Sequence, residues 1–264
     1  MNRSKINVDP AGFPAEIRPY LQNEDVYDSS CSEAARVYYI DSCGGLFLKK
    51  APVGALKSEA AMTGYFHSLG LSAEVVAYVS SDEYDWLLTR RVPGEDCVHP
   101  DHLTRPEQLC DIMGGQLRRL HSIDPSDCPI PDKLDTYKAG VASGLAKGIY
   151  QPKHFMEIYP FTSPDETRQC AELGLKLLKK DALIHGDYCL PNIMLDGWDF
   201  SGFIDLGNGG VADRHIDLFW GIWSLNYNLR TIRYTDRFLD AYGRDKVDPE
   251  LLRCVAAMEI VSDG

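Results

Sequence analysis

Between residues 185 and 192 the chain reads His-Gly-Asp-Tyr-Cys-Leu-Pro-Asn, which sets a carboxylate, Asp187, five positions ahead of an amide, Asn192. A second carboxylate, Asp205, follows eighteen residues after Asp187 in the run Gly-Phe-Ile-Asp-Leu-Gly. Asp and Asn in loops are ordinarily turn formers, so none of the three signals chemistry alone. Their joint order and spacing suit phosphoryl transfer. That reaction needs a carboxylate to orient an attacking hydroxyl and accept its proton, and oxygen donors to hold Mg2+ against the phosphates. Asp187 takes the first role on this reading, and Asn192 and Asp205 take the second.

The elements around these residues divide into two kinds. Residues 25–92 read mostly as strands, in Ala-Arg-Val-Tyr-Tyr-Ile-Asp, Gly-Leu-Phe-Leu-Lys-Lys-Ala, Ala-Glu-Val-Val-Ala-Tyr-Val and Asp-Trp-Leu-Leu-Thr-Arg-Arg-Val, all rich in β-branched or aromatic residues. One helical stretch, residues 55–70, interrupts them. Lys49 falls on a strand and Glu59 on the helix that follows, as does the Lys–Glu pair that steadies ATP phosphates in kinases. The stretch Val-Pro-Gly-Glu-Asp then reads as a hinge.

Beyond the hinge the pattern turns helical. Leu109, Ile112, Met113, Leu117 and Leu120 form an i, i+3, i+4 stripe, with Thr104 and Glu107 spaced as a capping box at its start. Further helices are expected over 164–180, 212–225, 231–242 and 249–261, the last capped by Asp248. The expected architecture is therefore α+β and two-lobed, with a small β-rich N-terminal lobe over 1–92 and a larger helical C-terminal lobe over 93–264. Such a division implies a ligand cleft at the hinge.

Composition narrows the partners. A formal net charge of −12 disfavours nucleic acid and anionic membranes and favours a cationic small molecule. The eight cysteines are scattered without a C-x-x-C pair, against a zinc site or a disulfide framework and in keeping with reduced thiols. No apolar run approaches the ~20 residues of a membrane span, and the first residues lack the apolar core of a signal peptide. A cytoplasmic monomer or weak dimer is the expectation.

The motif H-G-D-x-x-x-x-N is similar to the kinase catalytic loop, and a wider set of segments makes the resemblance specific. SEAARVY, LFLK, LLTRRVPG, LRRLHSIDPSDCP, HGDYCLPNIML and SGFIDLGNGGVADRHIDL follow one another over roughly residues 30–220 as in the aminoglycoside 3′-phosphotransferase family. The resemblance implies a eukaryotic-protein-kinase-like fold and transfer of the γ-phosphate of ATP, with Mg2+, to an antibiotic hydroxyl. It makes Asp187 the catalytic Asp and Asn192 and Asp205 the metal ligands. Lys49 would hold the ATP phosphates and pair with Glu59, Phe47 would stack on adenine, and backbone groups of Arg90 and Val92 would meet the adenine edge. Ser30, Cys31 and Ser32 fall in the nucleotide-positioning loop, which lacks the G-x-G-x-x-G of protein kinases. His185 would hold the shape of the catalytic loop, and Asp213 and Asp217 would anchor the C-terminal lobe.

The chain departs from this family where the substrate ammonium groups would bind. Glu157, Glu259 and Asp263 remain as candidate acceptors, but Met156, Ile158 and Met258 stand where acidic residues are common in the family, and Trp223-Ser224-Leu225 replaces an Arg-Asp-Ile-like triplet. Two readings stay open. One is a narrower range of aminoglycosides. The other is a different amino or hydroxylated substrate held against an aromatic wall of Trp223, Tyr227, Tyr150 and Tyr159.

Overall fold

The computed structural model describes residues 3–30, 35–42, 44–152, 155 and 157–263. It separates into two compact units, Met1–Gly94 with Ser201–Gly207, and Glu95–Phe200 with Asn208–Gly264.

The first unit is built on a six-stranded antiparallel sheet. Its strands are β1 (Ser4–Ile6), β2 (Val26–Asp28), β3 (Arg36–Ile40), β4 (Leu46–Pro52), β5 (Val75–Ser80) and β6 (Tyr84–Arg90), in the order β1-β2-β3-β4-β6-β5. Successive side chains of a strand point to opposite faces. On β4 this sends Leu46 and Leu48 into a cluster with Phe13, Ile17, Ile40 and Leu88. Phe47 and Lys49 take the other face, and Lys49 stands opposite Leu87 of β6. Helix α1 (Lys57–Ser68) follows β4 and buries Met62 and Phe66.

The entry to α1 depends on Asp85 of β6, which is fully buried. Its carboxylate accepts from Leu56 N (3.0 Å), the Tyr78 hydroxyl (3.0 Å) and the Ser80 hydroxyl (2.6 Å). Burial pushes its pKa up, but these donors outweigh it and hold the group below the usual range. A buried carboxylate with this many donors fixes where the helix starts, and hence the direction of Glu59.

The second unit is mostly helical. It contains α2 (Pro100–Leu103), α3 (Pro106–Leu120), α4 (Lys133–Lys147), α5 (Pro164–Leu177), α6 (His215–Leu229), α7 (Thr235–Tyr242) and α8 (Pro249–Val261). Short strands punctuate them: β7 (Glu95–Asp96) pairs with β9 (Ile193–Asp196), and β8 (Ala182–Ile184) pairs with β11 (Gly210–Ala212). Strand β10 (Asp199–Phe203) returns from β9 after a turn. The stripe on α3 behaves as its period requires: Leu109, Met113, Leu117 and Leu120 are wholly buried, and only Ile112 is partly exposed.

The expected capping box at the start of α3 does not form. Thr104 ends α2, and its hydroxyl donates to Asp101 O at 2.7 Å. Pro106 starts α3 instead, since its fixed φ and missing N–H suit a first turn. Asp248 does cap α8, accepting from Glu250 N at 2.9 Å. Among the described residues no helix is long and apolar enough to cross a membrane. The six described cysteines that are free are all buried.

Candidate active site

In the first unit, three sequence-predicted residues meet. Lys49 Nζ lies 2.7 Å from Glu59 Oε1 and 2.6 Å from Asp205 Oδ1, so one ammonium bridges two carboxylates. The side chains of Lys49 and Glu59 are 21% and 13% exposed, and that of Asp205 is 50% exposed. Burial pulls the Lys49 pKa down, but Asp205 and Glu59 outweigh it and raise it above the ordinary value. Burial pushes Glu59 up against the pull of Lys49. Asp205 sits at φ +57°, in the left-handed region that Asp enters more readily than most residues other than Gly.

The other nucleotide residues are placed less uniformly. Phe47 is half-buried, with its ring centroid 5.3 Å from that of Tyr39, and the Arg3 guanidinium lies 5.5 Å above it. Arg90 N–H donates to Glu74 O at 3.0 Å, which removes that donor from the expected contact with an adenine edge. Val92 is buried beside Gly202. Ser30 is part of the neck of its loop: its hydroxyl accepts from Val37 N at 2.9 Å and its own N–H donates to Asp28 at 3.0 Å. Both groups are thus committed to closing the β2–β3 turn. Cys31 and Ser32 lie outside the described residues.

In the second unit, Asp187 and Asn192 occupy one loop, and Asn192 Nδ2 donates 2.9 Å to the Asp187 carboxylate and 2.9 Å to its carbonyl. Asn192 is buried and Asp187 half-buried. This pair fixes the Asp187 rotamer and leaves the Asn192 Oδ1 as the oxygen able to face a cation. Asp205 likewise has a second carboxylate oxygen beyond the one on Lys49. Each is a hard oxygen donor of the kind Mg2+ prefers. Among the described residues no cluster of three or more His, Cys, Asp or Glu could hold a metal without such help.

The loop backbone is tied on several sides. Asp217 of α6, 0% exposed, accepts from His185 N and Gly186 N, both at 2.7 Å, and from His121 Nε2 at 3.1 Å. Ser224, two turns along α6, accepts from Leu190 N at 2.9 Å. Cys97 N shares its proton between Leu190 O and Ile193 O. The Tyr188 hydroxyl, wholly buried, donates to Met113 O at 2.8 Å. Gly186 has φ +82°, and a Cβ there would stand 1.9 Å from Asn208 O, so only glycine fits. His121 Nδ1 meets the Tyr242 hydroxyl at 2.9 Å, which gives the His of Leu-His-Ser-Ile-Asp its task of orienting Asp217.

Among the candidate substrate acceptors, Glu157 is exposed, and the buried ring of Phe155 packs on Phe219, Trp220 and Trp223. Glu259 of α8 accepts from the Tyr137 hydroxyl at 2.9 Å, and burial pushes its pKa up to about 7, with the Asp187 charge adding to the rise. Asp263 is paired with Lys147 and with the Ser143 hydroxyl, so its charge is neutralised within the chain. The aromatic wall forms in part: Trp223 and Tyr227 stack at 5.1 Å and 18°, while Tyr159 packs on Phe219 and Tyr150 is exposed. A cavity of about 650 Å³ lined by Lys5, Pro10, Gln22 and Asp25 contains none of the predicted residues.

Comparison with known proteins gives this geometry a context. A model of the phosphotransferase enzyme family matches residues 32–254. The chain belongs to the phosphotransferase enzyme family. Within it, the chain is 40% identical over 98% of its length to a probable aminoglycoside 3′-phosphotransferase of Lactococcus lactis subsp. lactis (strain IL1403), and covers 98% of that protein. It is 27% identical to an aminoglycoside 3′-phosphotransferase of Niallia circulans, with 94% of this chain and 97% of the relative aligned. The crystal structure of an aminoglycoside-3′-phosphotransferase of type VIII superposes with a TM-score of 0.75 at 24% identity, over 94% of this chain and all of that one. A second phosphotransferase, from Streptomyces rimosus and solved with ADP and streptomycin, gives a TM-score of 0.68 at 23% identity, over 87% of this chain and 91% of that one. The expected α+β, protein-kinase-like fold is that of these phosphotransferases.

Proposed function

We propose that this chain transfers the γ-phosphate of ATP to the 3′-hydroxyl of an aminoglycoside and so confers resistance in the cytoplasm. The observation that carries the reading is the Asp187–Asn192 pair, a carboxylate of set rotamer on a backbone held by Asp217, Ser224 and Cys97. Asp187 accepts a hydrogen bond from the acceptor hydroxyl, aims its oxygen, and takes its proton as the new oxygen–phosphorus bond forms, while the bond from the γ-phosphorus to the β,γ-bridging oxygen breaks and ADP leaves. Asn192 Nδ2 prevents the carboxylate from rotating away. Lys49 faces the nucleotide phosphates, and Glu59 keeps it extended along β4. Asn192 and Asp205 are the residues that would hold Mg2+ in this scheme, and the ion would supply positive charge to offset that of the phosphates. Phe47 supplies a face for adenine, and Val92 rather than Arg90 supplies the backbone N–H at its edge.

For the acceptor, Glu157 and Glu259 provide carboxylates for ammonium groups, and Asp263 is left out because Lys147 already neutralises it. The 40% identity to the Lactococcus protein supports the aminoglycoside assignment. A second reading, another amino or hydroxylated small molecule, is favoured by the Trp223–Tyr227 stack. Steady-state ATP turnover against a panel of 4,5- and 4,6-linked aminoglycosides separates the two. Acceleration by at least one member is expected, and no acceleration by any member excludes the antibiotic assignment.

A further inference from the structure

A half-buried carboxylate beside another carboxylate, as Glu259 is, needs a partner that aims it and favours its charged form. Helix α4 supplies it. The Tyr137 hydroxyl donates to Glu259 Oε1 at 2.9 Å. The same helix grips the end of α8 in two further places. A Cβ at Gly144 would lie 1.8 Å from Val261 O, so the helices approach as closely as backbone allows. Asp263 N–H donates to Gly140 O at 3.3 Å, while the Asp263 carboxylate takes Lys147 and Ser143. These contacts fix the register of α4 against α8 and bring Tyr137 to Glu259.

We propose that Tyr137 is a positioning residue for substrate specificity: its hydroxyl holds the Glu259 carboxylate as the acceptor for one substrate ammonium group near Asp187. The proposal rests on the aminoglycoside reading above. A hydroxyl that donates to a carboxylate stabilises the charged form, whereas an apolar ring edge in its place would not.

The groups facing Glu259 are few. Tyr137 comes from α4 and lowers its pKa, and Asp187 comes from the catalytic loop and raises it, as does burial, to about 7. Asp213, before α6, acts on Tyr137 rather than on Glu259. On α5, Glu166 and Cys170 meet Arg253 and Cys254 of α8, and so do not face Glu259. An ammonium ligand binds the ionised form, so substrate affinity should rise with pH through the region of 7.

The test compares the wild type with Tyr137→Phe over pH 6–9 with a 4,6-linked aminoglycoside, following kcat, KM for the aminoglycoside and KM for ATP. In Y137F the rise in kcat/KM for the aminoglycoside should move to higher pH by about one unit, the equivalent of losing one hydrogen bond to a charged group. At pH 7 the ionised fraction falls from about one half to about one eleventh, so the aminoglycoside KM should increase about fivefold, with KM for ATP unchanged. The variant Glu259→Gln should abolish that limb of the profile while Y137F only displaces it, and E259Q decides the matter if Y137F does not fold. Superimposable profiles for Y137F and wild type would overturn the proposal, as would an unchanged limb in E259Q. A wild type inactive on every aminoglycoside would instead remove the reading on which it rests.

Discussion

Replacing Asp217 by Asn tests whether the catalytic loop is held by charge or by shape. The two side chains are nearly isosteric, so packing in the wholly buried site is preserved. The hydrogen bonding is not. The carboxylate accepts from three donors, His185 N and Gly186 N at 2.7 Å and His121 Nε2 at 3.1 Å. An amide oxygen can keep one backbone donor, but the NH2 group then confronts the other across the same gap. Bonds to a charged acceptor are worth about 1.5–3 kcal/mol each, and a buried donor left unpaired costs about 1–3 kcal/mol. Allowing for relaxation, D217N should lose about 3–5 kcal/mol of unfolding free energy, in line with breaking other buried charged contacts. At roughly 2–4 °C per kcal/mol, the melting temperature should fall by about 10 °C. The same substitution should lower kcat about a hundredfold, because Asp187 follows directly on the two amides that are released. Urea unfolding followed by tryptophan fluorescence, with kcat measured well below the melting temperature, provides both numbers. A loss under about 1 kcal/mol with kcat intact would refute the idea that this carboxylate holds the loop.

Other substitutions give separable outcomes. Gly186→Ala forces a Cβ to within 1.9 Å of Asn208 O at φ +82°, so chemical denaturation should show a loss of at least about 2 kcal/mol. Asp187→Asn should reduce kcat by about 10²–10⁴ while calorimetry finds ATP affinity retained, because only the proton acceptor is removed. Stability should depend on pH through Glu259, whose pKa is raised from 4.5 in the unfolded chain to about 7. The folded state binds this proton more tightly, so the stabilisation is complete below pH 4.5 and is lost as pH rises through about 7. E259Q should therefore gain on the wild type between pH 5 and pH 8, by at most about 3 kcal/mol, in thermal melts at the two pH values.

The sequence was most informative where a period repeats. Strands β4 and β6 announce themselves by β-branched and aromatic runs, and α3 by its stripe, because burial on one face imposes the spacing. The three-residue edge strands β1 and β2 are too short to show any period, and α4 buries little beyond Leu134, Val141 and Gly144. A single boundary drawn at a Pro-Gly stretch also has no means of assigning Ser201–Gly207 to the first unit, since that membership depends on long-range contacts.

Asp187 and Asn192 announce themselves as candidates because one loop constrains their spacing, and Asp205 because it follows a hairpin at a fixed distance along the chain. Asp217 was legible only as a structural anchor, and its two backbone donors on the loop could not be inferred from its neighbours Arg214 and His215. Asp85 and Tyr137 gave no signal, since a lone Asp on a strand or Tyr on a helix is ordinary. Ser30 illustrates the opposite case, a hydroxyl whose type suits phosphate but whose bonds close a turn.

Lys49 shared between Glu59 and Asp205 makes the first unit its own counter-ion reservoir. A phosphate approaching Lys49 must compete with Asp205, and a cation drawing on Asp205 must compete with Lys49. Each guest therefore loosens the pair that resists the other. On the proposed function this competition makes the coupling positive, and thermodynamic reciprocity makes the nucleotide strengthen the cation by the same factor as the cation strengthens the nucleotide. One ammonium between two acids is thus a physical link between the two ligands of that scheme.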